Sequence, residues 1–225
     1  MRPLHAGVAL SLLPLATALL LGFGHALEPD HVAAVTTFVA RRSRPAEAFR
    51  FGLRWGIGHA GAILLAGGTL ILLDLRLPAG IARGLEFGVG TLLLVLGAWL
   101  LWSLLHERAH ARIEGSRLSG VHTHGHGRGS GWVGVAHGLA GTGSLVALLQ
   151  VTIVPGSALA FGYLLLFGIG TVAGMATYAL LAGTFLHRAS ARFPSFATSL
   201  RGATALGSVG LGVFWMYSAV VGTAA

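Results

Sequence analysis

The sequence predicts an all-α polytopic integral membrane protein with six transmembrane helices, and three observations carry that expectation. The 225 residues are 54% hydrophobic and 10% charged, against about 25% charged in an ordinary soluble domain; the mean hydropathy is +0.77. Apolar runs recur at lengths suited to the ~20 residues that cross a bilayer as a helix. All fifteen basic residues are arginines, gathered in short segments between those runs. The net charge of +8 is therefore explained by topology and not by nucleic acid. The absence of cysteine excludes disulfides and thiolate metal sites. The 35 glycines suit helices that pack closely through small residues.

Taken in order, the first apolar run covers residues 4–40, too long for one straight crossing. Pro14 and Pro29 offer two breaks, so helix 1 is expected to be bent or discontinuous. Residues 1–26 imitate a signal peptide, with Arg2, an apolar core and Gly24-His25-Ala26 as a small-residue cleavage site. Cleavage there would split a polar motif over residues 25–31, and the segment is expected to be retained. Helix 2 is expected over 51–73 and helix 3 over 84–105, with Trp99 and Trp102 as interfacial anchors. Glu86 opens helix 3 in this reading, where a carboxylate suits the helix dipole. Residues 106–130 form a histidine-rich loop holding His106, His110, His122, His124 and His126. Helix 4 is expected over 132–151, helix 5 over 157–186, a loop over 188–201, and helix 6 over 202–222.

The halves repeat. His25-Ala26-Leu27 lies over His137-Gly138-Leu139, and Gly56-Ile57-Gly58 over Gly168-Ile169-Gly170, both at an offset of 112. Gly97-Ala98-Trp99 matches Gly212-Val213-Phe214 more loosely at 115. The expected organisation is a first three-helix repeat over 1–105, the loop over 106–130, and a second three-helix repeat over 131–225. Three helices per half make the repeat inverted. Twelve arginines fall on one side of such a bundle: Arg41, Arg42, Arg44, Arg50, Arg54, Arg108, Arg112, Arg117, Arg128, Arg188, Arg192 and Arg201. Only Arg2, Arg76 and Arg83 fall on the other. The positive-inside rule then turns both termini outward and the histidine-rich loop to the cytoplasm, in a cell inner (cytoplasmic) membrane.

Within the first run, residues 25–31 hold two histidines and two carboxylates, as His25, Glu28, Asp30 and His31. Ionisable groups at membrane depth cost about 2.5–3.5 kcal/mol each on insertion scales, so a group of them implies mutual compensation, water or a cation. Imidazole and carboxylate together suit a divalent transition-metal ion. His25 and His31 would stand about 120° apart on a straight helix at ~100° per residue. The break at Pro29 has to bring them together, or only some of them bind at once. His59 on helix 2 completes the candidate metal set of His25, Asp30, His31 and His59, with a hydrogen bond across a helix pair as its simpler role. Glu28 is read as an access or supporting group. His137, the repeat partner of His25, is read as a structural residue or a second-half gate, with a secondary ligand contributed from the other half as the alternative, and Thr142, Ser144 and Thr171 tie helices together. His122, His124 and His126 serve as weak metal buffers or as spacers.

His25, four intervening residues, then Asp30-His31 resembles the H-x4-D-H signature of the nickel/cobalt transporter superfamily (NicO or NiCoT). Trp55-Gly56-Ile57-Gly58-His59 is similar to that family's second motif, a Leu-Gly-His-Ser-type segment on the next helix, with Ala60 in place of the serine. The short six-helix chain looks closest to the urease-accessory, UreH-like branch. The resemblance implies a permease, not an enzyme, that moves Ni²⁺ first and Co²⁺ second, with His25, Asp30, His31 and His59 as ion ligands and no prosthetic group. It also implies a bilayer, the ion, and the assembly machinery of a metalloenzyme such as urease or hydrogenase as partners. Export by the same fold, a membrane metallo-enzyme, and a metal-delivery accessory protein stand as alternatives. Because protons compete for imidazole, uptake is expected to weaken below about pH 6.

Overall fold

The computed structural model describes residues 4–40, 44–73, 75, 78–113, 129–140 and 157–222. Within them the chain forms helices α1 (Leu4–His25), α2 (Pro29–Val39), α3 (Pro45–Leu72), α4 (Ala79–Ile113), α5 (Gly129–Ala140), α6 (Ser157–Arg192) and α7 (Pro194–Val221). Four are long and apolar enough to cross a membrane, over Pro45–Leu72, Gly80–Glu107, Ala158–Arg192 and Pro194–Val221. They carry exposed side chains such as Leu65, Leu72 and Val220, each more than 70% accessible. So much apolar surface is compatible with lipid and not with water. Among the described residues the chain is all-helical, and its long apolar helices make it a membrane protein.

Prolines start helices at places where the sequence alone suggests breaks or loops. Pro29, Pro45 and Pro194 each occupy the first turn of α2, α3 and α7, where the missing N–H costs nothing and the fixed φ suits a helix. As a result α3 begins well before residue 51. The expected loop over 188–201 shrinks to a junction at Phe193, between α6 and α7. Pro78 lies just ahead of α4, which starts at Ala79, so Glu86 sits inside the helix and does not open it. At its other end α4 runs on through His106 and His110 to Ile113. Trp102 stacks on His106 there, with centroids 5.1 Å apart. His122, His124 and His126 lie outside the described residues, as do Thr142 and Ser144.

The expected helix 1 is two helices, α1 and α2, joined by residues 26–28. The carbonyl of His25 is not left without a partner at the break. It accepts from the Glu28 N–H at 3.0 Å, while Gly24 O accepts from the Leu27 N–H at 2.9 Å. The chain thus tightens for one turn and re-enters a helix at Pro29.

Small residues set the helix crossings. A Cβ at Gly22 would overlap the Phe167 carbonyl, and one at Gly170 would overlap that of Leu19. Along the same pair Gly162 meets Leu15 and Gly174 meets Ala26, so contacts advance together on α1 and α6 and the two helices run parallel. Gly52 and Gly56 of α3 meet Met175 and Val172 of α6 in descending order, so α3 and α6 are antiparallel. Gly58 meets Gly131 and Gly138 meets His59, making α5 parallel to α3. In the antiparallel pair of α4 and α7, a Cβ on Gly90 or Gly212 would lie 2.7 Å from the other's carbonyl oxygen. α2 lies inside this frame, with Ala34, Val35 and Val39 fully buried among Phe51, Trp55, Leu93 and Met175. Hydroxyl bonds fix it: Thr36 Oγ1 to Tyr178 OH at 2.5 Å, and Thr37 Oγ1 to Ser208 Oγ at 2.9 Å. Thr171, expected to tie helices, donates to Phe167 O of its own helix.

Candidate metal centre

The break brings the polar residues to one place. His25 ends α1, and Asp30 and His31 stand in the first turn of α2, where a carboxylate also suits the helix dipole. The His25 and His31 rings, which a continuous helix would hold apart, approach edge-on with centroids 4.4 Å apart. His59 comes from the middle of α3, and His137 from α5. Gly134 and Gly138 lie either side of His137 in sequence, and a Cβ on either would strike the backbone of Trp55 or His59. Those two glycines let α5 press onto α3 and carry His137 into the cluster.

Four histidines and one aspartate are buried together: His25 4% accessible, Asp30 3%, and His31, His59 and His137 0%. His25 Nε2 lies 3.2 Å from His59 Nε2. Asp30 links the rest, with Oδ1 2.9 Å from His31 Nδ1 and Oδ2 3.2 Å from His137 Nε2. An ionised carboxylate only accepts, so both rings donate to it. In the neutral rings this leaves His31 Nε2 and His137 Nδ1 as lone pairs, and both nitrogens are buried with no hydrogen-bond partner. His59 Nδ1 is orphaned in the same way. Buried polar atoms without partners are rare and call for a ligand or water. His25 Nδ1 comes within 3.0 Å of Glu28 Oε1, at an angle that makes no hydrogen bond. Glu28 is partly exposed, at 39% of its side chain, and stands at the edge of the group. Phe167 and Trp55 wall the cluster, against His25 at 5.3 Å and His137 at 5.7 Å.

The geometry suits a cation. The ligand atoms of His25, His31 and His59 lie within 4.8 Å of one another, as do those of Asp30, His31 and His137. Two ligand atoms 3.2 Å apart subtend roughly 100° at an ion held about 2.1 Å from each, the usual metal–imidazole distance. Of the sequence candidates, His25, Asp30, His31 and His59 meet here. His137 belongs to the same cluster, which its position as repeat partner of His25 signalled. The walls Trp55 and Phe167 are partners at the same 112-residue offset, each directly before a matched Gly-Ile-Gly segment, whereas the tether Tyr178 carries no comparable signal.

The chain is 36% identical over 170 residues to the urease accessory protein UreH of Bacillus sp. (strain TB-90), a match covering 72% of this chain and 73% of the relative. It is 29% identical over 192 residues to the chloroplast protein FOR GROWTH AND FERTILITY 2 of Arabidopsis thaliana, and 26% identical over 210 residues to FOR GROWTH AND FERTILITY 1 of the same plant. These matches take in 82% and 88% of this chain but only 50% and 57% of the plant proteins. No protein-family model matches, and no solved structure matches. On the strength of the first of these likenesses, the chain belongs to the family of the urease accessory protein UreH.

Proposed function

We propose that this protein is a membrane permease for a divalent transition-metal ion, nickel first and cobalt second, carried by His25, Asp30, His31 and His59. The observation that carries the reading is the buried imidazole–carboxylate cluster at a helix break, with ring nitrogens that find no partner in the protein. A set this short of ligands binds an ion without trapping it, which transport requires. Irregular backbone at membrane depth is tolerated where it lines a cavity or is buried in protein, and the break at residues 26–28 fits that use. The relative named as a urease accessory protein agrees with metal supply to an enzyme such as urease, as does the resemblance to nickel/cobalt transporters.

The proposal includes six spans arranged as an inverted three-plus-three repeat. Contacts recur with partners exchanged at the 112-residue offset: Gly22 meets Phe167 while Gly134 meets Trp55, and Gly170 meets Leu19 while Gly58 meets Gly131. Gly174 meets Ala26 while Gly138 meets Ala62. α1 and α5 run in opposite senses, because α1 runs parallel to α6, α6 opposes α3, and α5 runs parallel to α3. Such exchange supports a two-fold axis in the membrane plane, about which one half rocks against the other. The arginine distribution supports a cytoplasmic position for the segment holding His122, His124 and His126. That segment also favours a second reading, export by the same site. Nickel starvation of cells lacking the protein indicates import, and nickel sensitivity indicates export.

The test is Ni²⁺ flux into proteoliposomes, with wild type beside His25→Ala and Asp30→Ala. Flux by wild type and none by either variant supports the permease. Equal flux by all three makes the cluster structural and overturns it.

A further inference from the structure

The five residues of the cluster fall into two groups of three, and their arrangement says how they are used. His31 lies between two histidines from different halves of the chain. His25 approaches its ring at 4.4 Å and 69°, and His137 at 4.5 Å and 79°. One group comprises His25, His31 and His59, the other Asp30, His31 and His137, and only His31 is common to both. Resting on the permease reading, we propose that the site has two ion positions that share His31 and are filled in turn.

The two positions differ in chemistry. The first is three imidazoles, with the His25–His59 pair already at the spacing of two ligands on one ion. The second adds the Asp30 carboxylate, whose charge offsets part of the ion's. Neutral imidazole has one lone pair, so His31 ligates through one nitrogen at a time. Its Nδ1 donates to Asp30 while its buried Nε2 has no partner, the arrangement that serves the first position. For an ion in the second position, His31 Nδ1 and His137 Nε2 become the ligands, and each ring keeps its proton on the other nitrogen. The proton count is the same in both states. Two dications on either side of one ring also repel each other, which reinforces single occupancy.

The pseudo-two-fold gives the arrangement a direction. It exchanges His25 with His137, and an axis in the membrane plane carries a residue at one depth to its counterpart at the opposite depth. Passage from the His25 side of His31 to the His137 side is then a step across the midplane. This makes His137, whose ring is fully buried, a ligand of the second half.

The experiment is a Co²⁺ titration of the purified full chain in detergent, reading bound cobalt per chain and the visible absorption that reports the ligand set, with Co²⁺ flux into proteoliposomes alongside. The expected result is one cobalt per wild-type chain. His59→Ala and His137→Ala should each still bind one, with different spectra and at least tenfold weaker affinity or flux. His31→Ala, and the double variant lacking both His59 and His137, should bind none. His137→Asn keeps a donor for Asp30 but is a poor metal ligand, and should behave as His137→Ala does. Wild-type spectrum and flux in His137→Asn would make His137 a structural donor and overturn the second position. Two cobalt ions held at once by wild type would overturn alternating occupancy. Wild type that binds and carries no cobalt or nickel brings down the permease reading itself, a result distinct from either.

Discussion

Oδ2 of Asp30 lies 3.2 Å from Nε2 of His137, joining residues 107 apart in the chain across two helices. Oδ1 of the same carboxylate meets His31 Nδ1 at 2.9 Å. One buried anion therefore holds the rings of α2 and α5 in register and fixes which nitrogen each presents. In a low-dielectric interior such charged hydrogen bonds are stronger than neutral ones. The carboxylate is thus both a candidate ligand and the part that orients two others.

Asp30→Asn tests that double role. The amide has the same shape and can still accept from one ring, so the fold should survive. It lacks the charge that offsets a dication, and loss of a group that orients metal-binding histidines typically weakens metal affinity by about 10–100-fold. The expected outcome is a monodisperse protein with nickel affinity reduced at least tenfold, measured by calorimetric titration. Affinity equal to wild type would show that Asp30 neither binds nor orients.

Pro29→Ala tests the break itself. Alanine restores an N–H and removes the ring that bars helix continuation. If residues 26–28 then join α1 to α2, His25 and His31 rotate to about 120° apart. Nickel affinity should fall at least tenfold while thermal stability is kept or rises. Retention of full affinity would mean that the turn around Gly24 and His25, and not Pro29, sets the geometry.

Much of this is legible in the sequence. Apolar run lengths give the membrane class, and the cluster of His25, Asp30 and His31 beside Pro29 marks a broken helix with a polar site. Helix limits are less legible because a proline between apolar runs suits an interrupter as well as a first-turn residue. Pro45 and Pro194 initiate α3 and α7, and Pro78 immediately precedes α4. The local chemistry of proline is the same in both roles, and only the residues on its C-terminal side distinguish them. The part of His137 is hard to read because it has no neighbouring carboxylate in sequence; its carboxylate is Asp30, supplied from the other half. The tether from Thr36 to Tyr178 spans 142 residues and leaves no local pattern at all.

Gly138→Val tests how α5 is seated. A Cβ there would lie 2.5 Å from the His59 carbonyl and 2.9 Å from its Cα. Forcing a side chain into such a contact costs about 1–3 kcal/mol and moves backbone. α5 should be pushed from α3, drawing His137 away from Asp30. The expected outcome is a lowered melting temperature and a weakened nickel titration. Gly207→Ala, where nothing lies within 4 Å, should change neither. Equal behaviour of the two variants would remove the close crossing as the cause.

Histidine ligates through a lone pair that a proton can occupy instead, so metal binding and protonation of the cluster exclude each other. Below the ordinary imidazole range near pH 6.5, rising proton activity should weaken binding, and no histidine-based site can escape that direction. Nickel flux into proteoliposomes, measured with equal pH on both sides to remove any proton gradient, should therefore fall as pH is lowered from about 7.5 to 5. Added nickel should restore it at intermediate pH, because competition raises the half-saturating concentration before it lowers the maximum. A flat profile over that range, or a loss that extra nickel does not reverse, would indicate that histidine lone pairs are not what the ion meets on its way through.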